Sequence, residues 1–328
     1  MQRAQKTTSS HSRSLIMKRQ FKHQRVPVHG VLLLDKPEGV SSTYALGVAK
    51  RLLNAEKAGH TGTLDPFATG LLPLCFGEAT KFAQDLLDAD KIYEATVHLG
   101  VTTTTADTEG DIVETKSFDL TPEQIELVLQ QFRGEIKQVP PMHSALKRDG
   151  KPLYEYAREG VVLEREAREV IIHALELLEF NSPYLKIRVH CSKGTYIRVL
   201  GEDIGRELGC GAHLIALRRT GVGILDLQRS ITLAEFTELA SAEQSKALLP
   251  VDALLVSLPA IRLSEELTQR FLHGQRLPGM VSEDAHPTDE ADALVRVYRA
   301  IDDVLLGVAL LDVRGVLSPQ RLVSVSAM

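Results

Sequence analysis

The chain has 328 residues, 44% hydrophobic and 25% charged, which is enough apolar material for two packed domains. No apolar run approaches the roughly 20 residues that a membrane-spanning helix needs. Cys75, Cys191 and Cys210 are scattered, with no CxxC pair or Cys/His cluster, which argues against a disulfide framework or structural zinc and predicts a soluble protein in a reducing, cytoplasmic setting.

Residues 1–29 are polar and basic, and no apolar period runs through them. Seven Lys/Arg and no acid fall within the first thirty residues, so the remainder holds 31 basic against 43 acidic side chains and the net charge is −5. This segment reads either as a disordered arm that grazes RNA or as sequence upstream of a start at Met17. Gly30–Leu34 reads as a buried strand ended by the turn Asp35–Gly39. A helix follows over 41–53, capped by Ser41 or Ser42, and then a glycine-punctuated loop, Gly59–Gly70. Tyr93, Ala95, Val97 and Leu99 alternate with polar residues, as in a half-buried strand. Thr121-Pro122-Glu123-Gln124 is a capping box with proline at the first helical position, opening a helix that ends near Phe132.

Residues 133–170 read as irregular around Pro140-Pro141, with a short helix near Tyr154–Arg158. Leu185, Ile187, Val189 and Cys191 form a second alternating strand, whose other face carries Lys186 and Arg188. After Gly194, a helix aligns Ile197, Leu200, Ile204 and Leu208 and stops at Gly209. From Lys186 to Arg219 seven basic residues meet three acidic ones, whereas Asp226 to the end has nine against fifteen. A local basic surface on an acidic body is compatible with RNA binding, because counterion release depends on the contacted patch. The last unit, with a helix over 265–272, strands over 293–300 and 304–311 and an acidic loop at Asp284–Asp292, reads as a separate small β domain.

The loop Gly59-His60-Thr61-Gly62-Thr63-Leu64-Asp65-Pro66-Phe67-Ala68-Thr69-Gly70 is the most unusual stretch. Its glycines permit close approach of a ligand or positive φ, and Pro66 holds Asp65 extended. On residue type alone, Asp65-Pro66 is an ordinary turn dipeptide, Tyr93 strand core and Arg198 a solvated helix arginine. The loop nevertheless resembles the signature of the TruB family of tRNA pseudouridine synthases, which act on uridine 55 of the T-loop. Further segments resemble that family in order: Gly30–Pro37, Lys91–Ala95, Pro141–Ala157, Cys191–Arg198, Gly209–His213 and Leu217-Arg218-Arg219. The resemblance spans about residues 30–220.

It implies an α+β fold with a mixed, largely antiparallel sheet crossed by a catalytic cleft (the pseudouridine synthase fold), followed by a PUA-like β domain. The implied division is a catalytic domain over 30–250, with an RNA-gripping insertion at about 133–170, and a C-terminal domain over 251–328. Asp65 is the implied catalytic carboxylate, acting on the ribose or adding to the ring; which of the two, the sequence does not say. Arg198 would pair with Asp65, Tyr93 would stack on the flipped base, His60 would hold the flipped conformation, and Tyr196 and Leu217 would line the uracil pocket. Lys36, Lys147, Arg148, Lys151, Lys186, Arg188, Arg218 and Arg219 are candidate phosphate contacts. The implied partner is the T-arm of tRNA, bound by a monomer without metal or cofactor, with tRNA chaperoning a possible companion activity. His143 departs from the pattern, standing where some members carry an aromatic, and the acidity of the last unit weighs against a firm RNA grip there. A pure RNA chaperone has no need of the Asp65, Tyr93 and Arg198 set, and an aspartate hydrolase finds no GxSxG elbow, metal cluster or Walker loop to support it.

Overall fold

The computed structural model describes residues 24–280 and 292–324. Residues 1–23 of the expected basic arm and nearly all of the acidic loop at 284–292 lie outside the described residues. Residues 24–29 are tied down: Val26 N–H donates to the Asn54 carbonyl at 2.9 Å, and Glu56 N–H to the Val26 carbonyl at 3.1 Å.

A ten-stranded sheet organises residues 30–232. Its order runs Ile231–Thr232, Gly30–Lys36, Thr69–Phe76, Ala212–Val222, Lys91–Leu99, Tyr184–Cys191, Arg168–Asn181 and Gly134–Gln138, with Ala58–His60 and Leu225–Asp226 pairing to the side. Among these described strands, only the contacts of Gly30–Lys36 with Ile231–Thr232 and of Thr69–Phe76 with Ala212–Val222 are parallel. The fold is therefore α+β with a mixed, largely antiparallel sheet, as the sequence implied. The parallel join between the two halves rests on two residue pairs, Thr69 with Arg218 and Gly70 with Arg219.

One sheet face buries Leu34, Leu72, Val97, Ile187, Val189 and Leu214 beneath the helices Ser42–Leu52, Pro122–Gln131 and Ile197–Glu207. Each such side chain contributes about 1.5–3 kcal/mol on leaving water. These helices begin where local chemistry dictates. Ser41 accepts from Tyr44 N–H, and Thr121 and Gln124 close a reciprocal capping box. On the opposite face, Val31, Leu33, Leu71 and Cys75 pack against Tyr298, Leu305 and Val308 of the C-terminal unit. That unit is a four-stranded sheet, Ala260–Leu263, Ala293–Arg299, Val304–Leu311 and Leu317–Leu322, with the helix Glu265–Leu272 on it.

The segment 133–170 needs correction. Gly134–Gln138 is an edge strand paired with Arg168–Asn181, so the stretch outside the main sheet is residues 139–167, which carries a short hairpin and the expected helix, Leu153–Arg158. The 14-residue strand Arg168–Asn181 lacks a clean period of two because its register shifts between Ile172 and Ala174 and between Leu177 and Glu179.

Candidate active site

Asp65 is held through both of its chain neighbours, Leu64 and Pro66. Ser42 Oγ accepts from Leu64 N–H at 2.8 Å and donates to the Leu64 carbonyl at 3.0 Å, so one buried hydroxyl fixes the preceding residue. On the other side the Pro66 carbonyl accepts from Gly39 N–H at 2.8 Å and from Lys36 Nζ at 3.2 Å. Lys36 is fully buried, at 0% exposure, and its ammonium also donates to the Pro37 and Val40 carbonyls. Burial pulls its pKa down to about 8, although the nearby Asp65 and Glu38 carboxylates favour its charge.

Arg198 lies in the first turn of the Ile197–Glu207 helix. Its Nε is 3.0 Å from Asp65 Oδ2 and one terminal nitrogen is 3.2 Å from Asp107 Oδ2. The remaining donors reach the Thr105 carbonyl at 3.3 Å and the His143 carbonyl at 2.8 Å. Each nitrogen of this buried guanidinium, only 5% exposed, therefore has an acceptor, while Asp65 keeps 33% of its side chain open to the cavity. Burial pushes the Asp65 carboxyl above the usual carboxylate range; Arg198 opposes that shift and the Asp107 charge reinforces it.

Asp107 belongs to a polar loop whose preceding residue, Ala106, has φ +58°. Its other oxygen accepts from the Thr105 hydroxyl and from Glu109 N–H. The sequence reading missed Asp107. In the sequence it is the first of three closely spaced acids, Asp107, Glu109 and Asp111, after a run of threonines, and only the structure shows it turned inward. No pattern told it apart from the acids of a surface turn.

Asp65, Tyr93, Tyr196, Arg198, Leu217 and Arg219 converge on one cavity of about 290 Å³. A larger cavity of about 550 Å³, between residues 139–165 and the Arg198 helix, contains neither Asp65 nor Tyr93. Burial raises the Tyr93 phenol, against the opposing charge of Arg219. His60 is not in the cavity wall. It ends the short strand Ala58–His60, its Nδ1 is buried without a hydrogen-bond partner among the described residues, and burial followed by the Arg219 charge lowers its pKa. Residues 50–197 match the model of the TruB family pseudouridylate synthase N-terminal domain, and 198–256 and 259–323 match the models of its C-terminal domains. This chain belongs to the TruB family.

Its similarity to relatives extends over nearly the whole length. The tRNA pseudouridine synthase B of Ralstonia nicotianae is 60% identical over 312 residues, covering 93% of this chain and 97% of the relative. That of Burkholderia mallei is 58% identical over 304 residues, covering 92% and 99%. Among solved structures, a Cbf5–Nop10–Gar1 complex superposes with a TM-score of 0.69 at 29% identity, covering 90% of this chain and 84% of that one.

In this TruB member the candidate phosphate contacts divide by burial. Lys36 and Arg219 cannot serve, because both are buried and committed to backbone carbonyls; Arg219 Nε donates to Leu71 at 2.7 Å and a terminal nitrogen to Gly62 at 3.3 Å. Arg218 is half-exposed and forks onto both oxygens of Asp35 at 3.0 and 2.6 Å. Lys147 and Arg148 are exposed on a short hairpin with Lys151, which pairs with Glu159. Lys186 and Arg188 share Glu94 on the open sheet face. The cavity wall also includes Lys91, missed in sequence, whose buried ammonium donates to the Leu86, Leu87 and Ala89 carbonyls.

Proposed function

We propose that this TruB family tRNA pseudouridine synthase isomerises a flipped-out T-loop uridine with the carboxylate of Asp65. The carrying observation is the 3.0 Å contact of Arg198 Nε with Asp65 Oδ2 at the wall of a cavity shared with Tyr93 and Leu217. In the reaction the bond from ribose C1′ to N1 breaks, C1′ joins C5 of the same base, the C5 proton leaves and N1 takes up a proton in its place. Whether the carboxylate acts on the ribose or adds to the ring, it must be ionised and aimed, and Arg198 favours both against the cost of burial. The detached uracil must not escape, so an enclosing wall matters as much as the nucleophile.

Extrusion of the base costs a few kcal/mol, less in a loop than in a duplex, and stacking on Tyr93 offsets that cost. In this reading Tyr93 also assists removal of the C5 proton, and Tyr196 and Leu217, which line the same cavity, enclose the uracil. Lys147, Arg148, Lys151, Lys186, Arg188 and Arg218 are the surface charges available for the phosphates of a folded T-arm. We propose that the enzyme acts on the tRNA T-arm as a monomer.

The test is single-turnover release of tritium from [5-³H]uridine-labelled tRNA by wild type and by Asp65→Asn. Release by wild type and none by the variant is the expected result. Equal silence from both proteins, with tRNA still bound, would replace the synthase reading with that of an RNA chaperone.

A further inference from the structure

Building on the reading of Asp65 and Arg198 above, we propose that Gln138 is a positioning residue, clamping the start of the Arg198 helix to the base of the 139–167 segment. Gln138 is only 2% exposed and ends the edge strand Gly134–Gln138, where the chain leaves the sheet for Val139-Pro140-Pro141. Its carboxamide meets the backbone of Tyr196 twice. Oε1 accepts from Tyr196 N–H at 3.0 Å, and Nε2 donates to the Tyr196 carbonyl at 3.3 Å. Only one orientation of the amide satisfies both bonds, so donor and acceptor are unambiguous.

Tyr196 is the N-cap of the Ile197–Glu207 helix, and no side chain caps it locally. Helix starts need acceptors for their free N–H groups, and in a capping box the side chain three residues on accepts from the N-cap N–H. Gln138 does this from 58 residues away. The clamp therefore fixes the helix end two residues before Arg198, while Arg198 donates to the His143 carbonyl five residues beyond Gln138. These two contacts close a ring from strand end to Tyr196, Arg198, His143 and back along the chain. Within that ring the Arg198 guanidinium cannot shift without moving the 139–167 segment. A displacement of about 1 Å at a catalytic group can cost on the order of a hundredfold in rate.

The experiment compares wild type, Gln138→Met, which is similar in length and lacks both hydrogen bonds, and Gln138→Glu, which keeps an acceptor for Tyr196 N–H but loses the donor. Single-turnover tritium release at saturating enzyme, tRNA retention on filters and thermal unfolding are measured on each full-length protein. The expected result is a rate lowered about tenfold to a hundredfold, with tRNA affinity within about twofold and cooperative unfolding retained. A wild-type rate per folded molecule in either variant overturns the proposal. Amide exchange on the wild-type protein gives a reading that does not depend on the variants folding. Tyr196 N–H is expected to be protected at least as well as the first turn of its helix, and exchange at an open-loop rate overturns the clamp. Failure of wild type itself to release tritium would instead overturn the Asp65 reading.

Discussion

The Asp107 carboxylate lies 3.2 Å from the Arg198 guanidinium, through a different nitrogen from the one that meets Asp65 at 3.0 Å. One buried cation thus serves two carboxylates of unequal status. Asp107 is closed in, with 2% of its side chain exposed, whereas Asp65 opens to the cavity. Asp107 holds the arginine that contacts Asp65, and its charge also makes Asp65 harder to ionise.

Asp107→Asn separates these two effects. The amide keeps an acceptor for the Glu109 N–H and the Thr105 hydroxyl, so the loop should hold. Loss of the second anchor for Arg198 is expected to lower the single-turnover rate about tenfold or more. Loss of the negative charge is expected to move the acid limb of the rate profile to lower pH, since Asp65 then ionises more readily. An acid limb that stays put would show that Asp107 does not act electrostatically on Asp65.

Asp65→Asn should stabilise the fold while abolishing turnover. The folded-state pKa of Asp65 is raised by burial, so the folded protein binds this proton more tightly than the unfolded chain does. Its contribution to stability is fully present below the unfolded value, about 3.9, and is lost as pH rises through the higher folded value. At neutral pH the ionised carboxylate therefore costs stability that the neutral amide does not. Thermal unfolding of Asp65→Asn is expected above wild type at pH 7, with the gap closing toward pH 4. A gap independent of pH would mean that the effect is packing, not ionisation.

The sheet was legible where one face is buried and the other wet, as at Tyr93–Leu99 and Leu185–Cys191. It was illegible where bulges break the period, as in Arg168–Asn181, or where a proline interrupts a buried run, as at Pro73. At the site, the family-like segments together pointed to Asp65, Tyr93, Tyr196, Arg198 and Leu217, which share one cavity, and to His60, which lies outside its wall. Burial is what the sequence could not reveal. Lys36 and Arg219 look like phosphate ligands as isolated cations, and only the tertiary structure shows both buried and donating to backbone carbonyls around the site. Asp107 and Gln138 act through partners 91 and 58 residues away, a distance no local pattern encodes.

The reassignment of Lys36 has a thermodynamic signature. A side chain that contacts a phosphate releases counterions, so removing it lowers the slope of log K against log salt by about one. Arg148→Ala, on the exposed hairpin, is expected to show that change in tRNA binding with little effect on stability. Lys36→Met is expected to leave the slope unchanged. It should instead destabilise the fold by about 1–3 kcal/mol, because the Pro37, Val40 and Pro66 carbonyls lose a buried donor. A reduced salt slope in Lys36→Met would restore it as a phosphate contact.

Gly70 carries the mechanical link between the loop of Asp65 and the rest of the sheet. It sits at φ +102°, and a Cβ there would lie 2.2 Å from the Arg219 carbonyl oxygen and 2.8 Å from its nitrogen. Both clashes are with backbone, so no side-chain rotation relieves them. The same two residues form half of the parallel join between Thr69–Phe76 and Ala212–Val222. Gly70→Ala must therefore open that join or bend the loop, and it is expected to cost well over about 1 kcal/mol in urea unfolding. Gly59 lies in the same glycine-punctuated stretch, but a Cβ there would meet nothing within 4 Å and its φ is not positive. Gly59→Ala is expected to change stability by less than about 1 kcal/mol. If the two substitutions cost the same, the close approach at Gly70 is not what holds the halves of the sheet together.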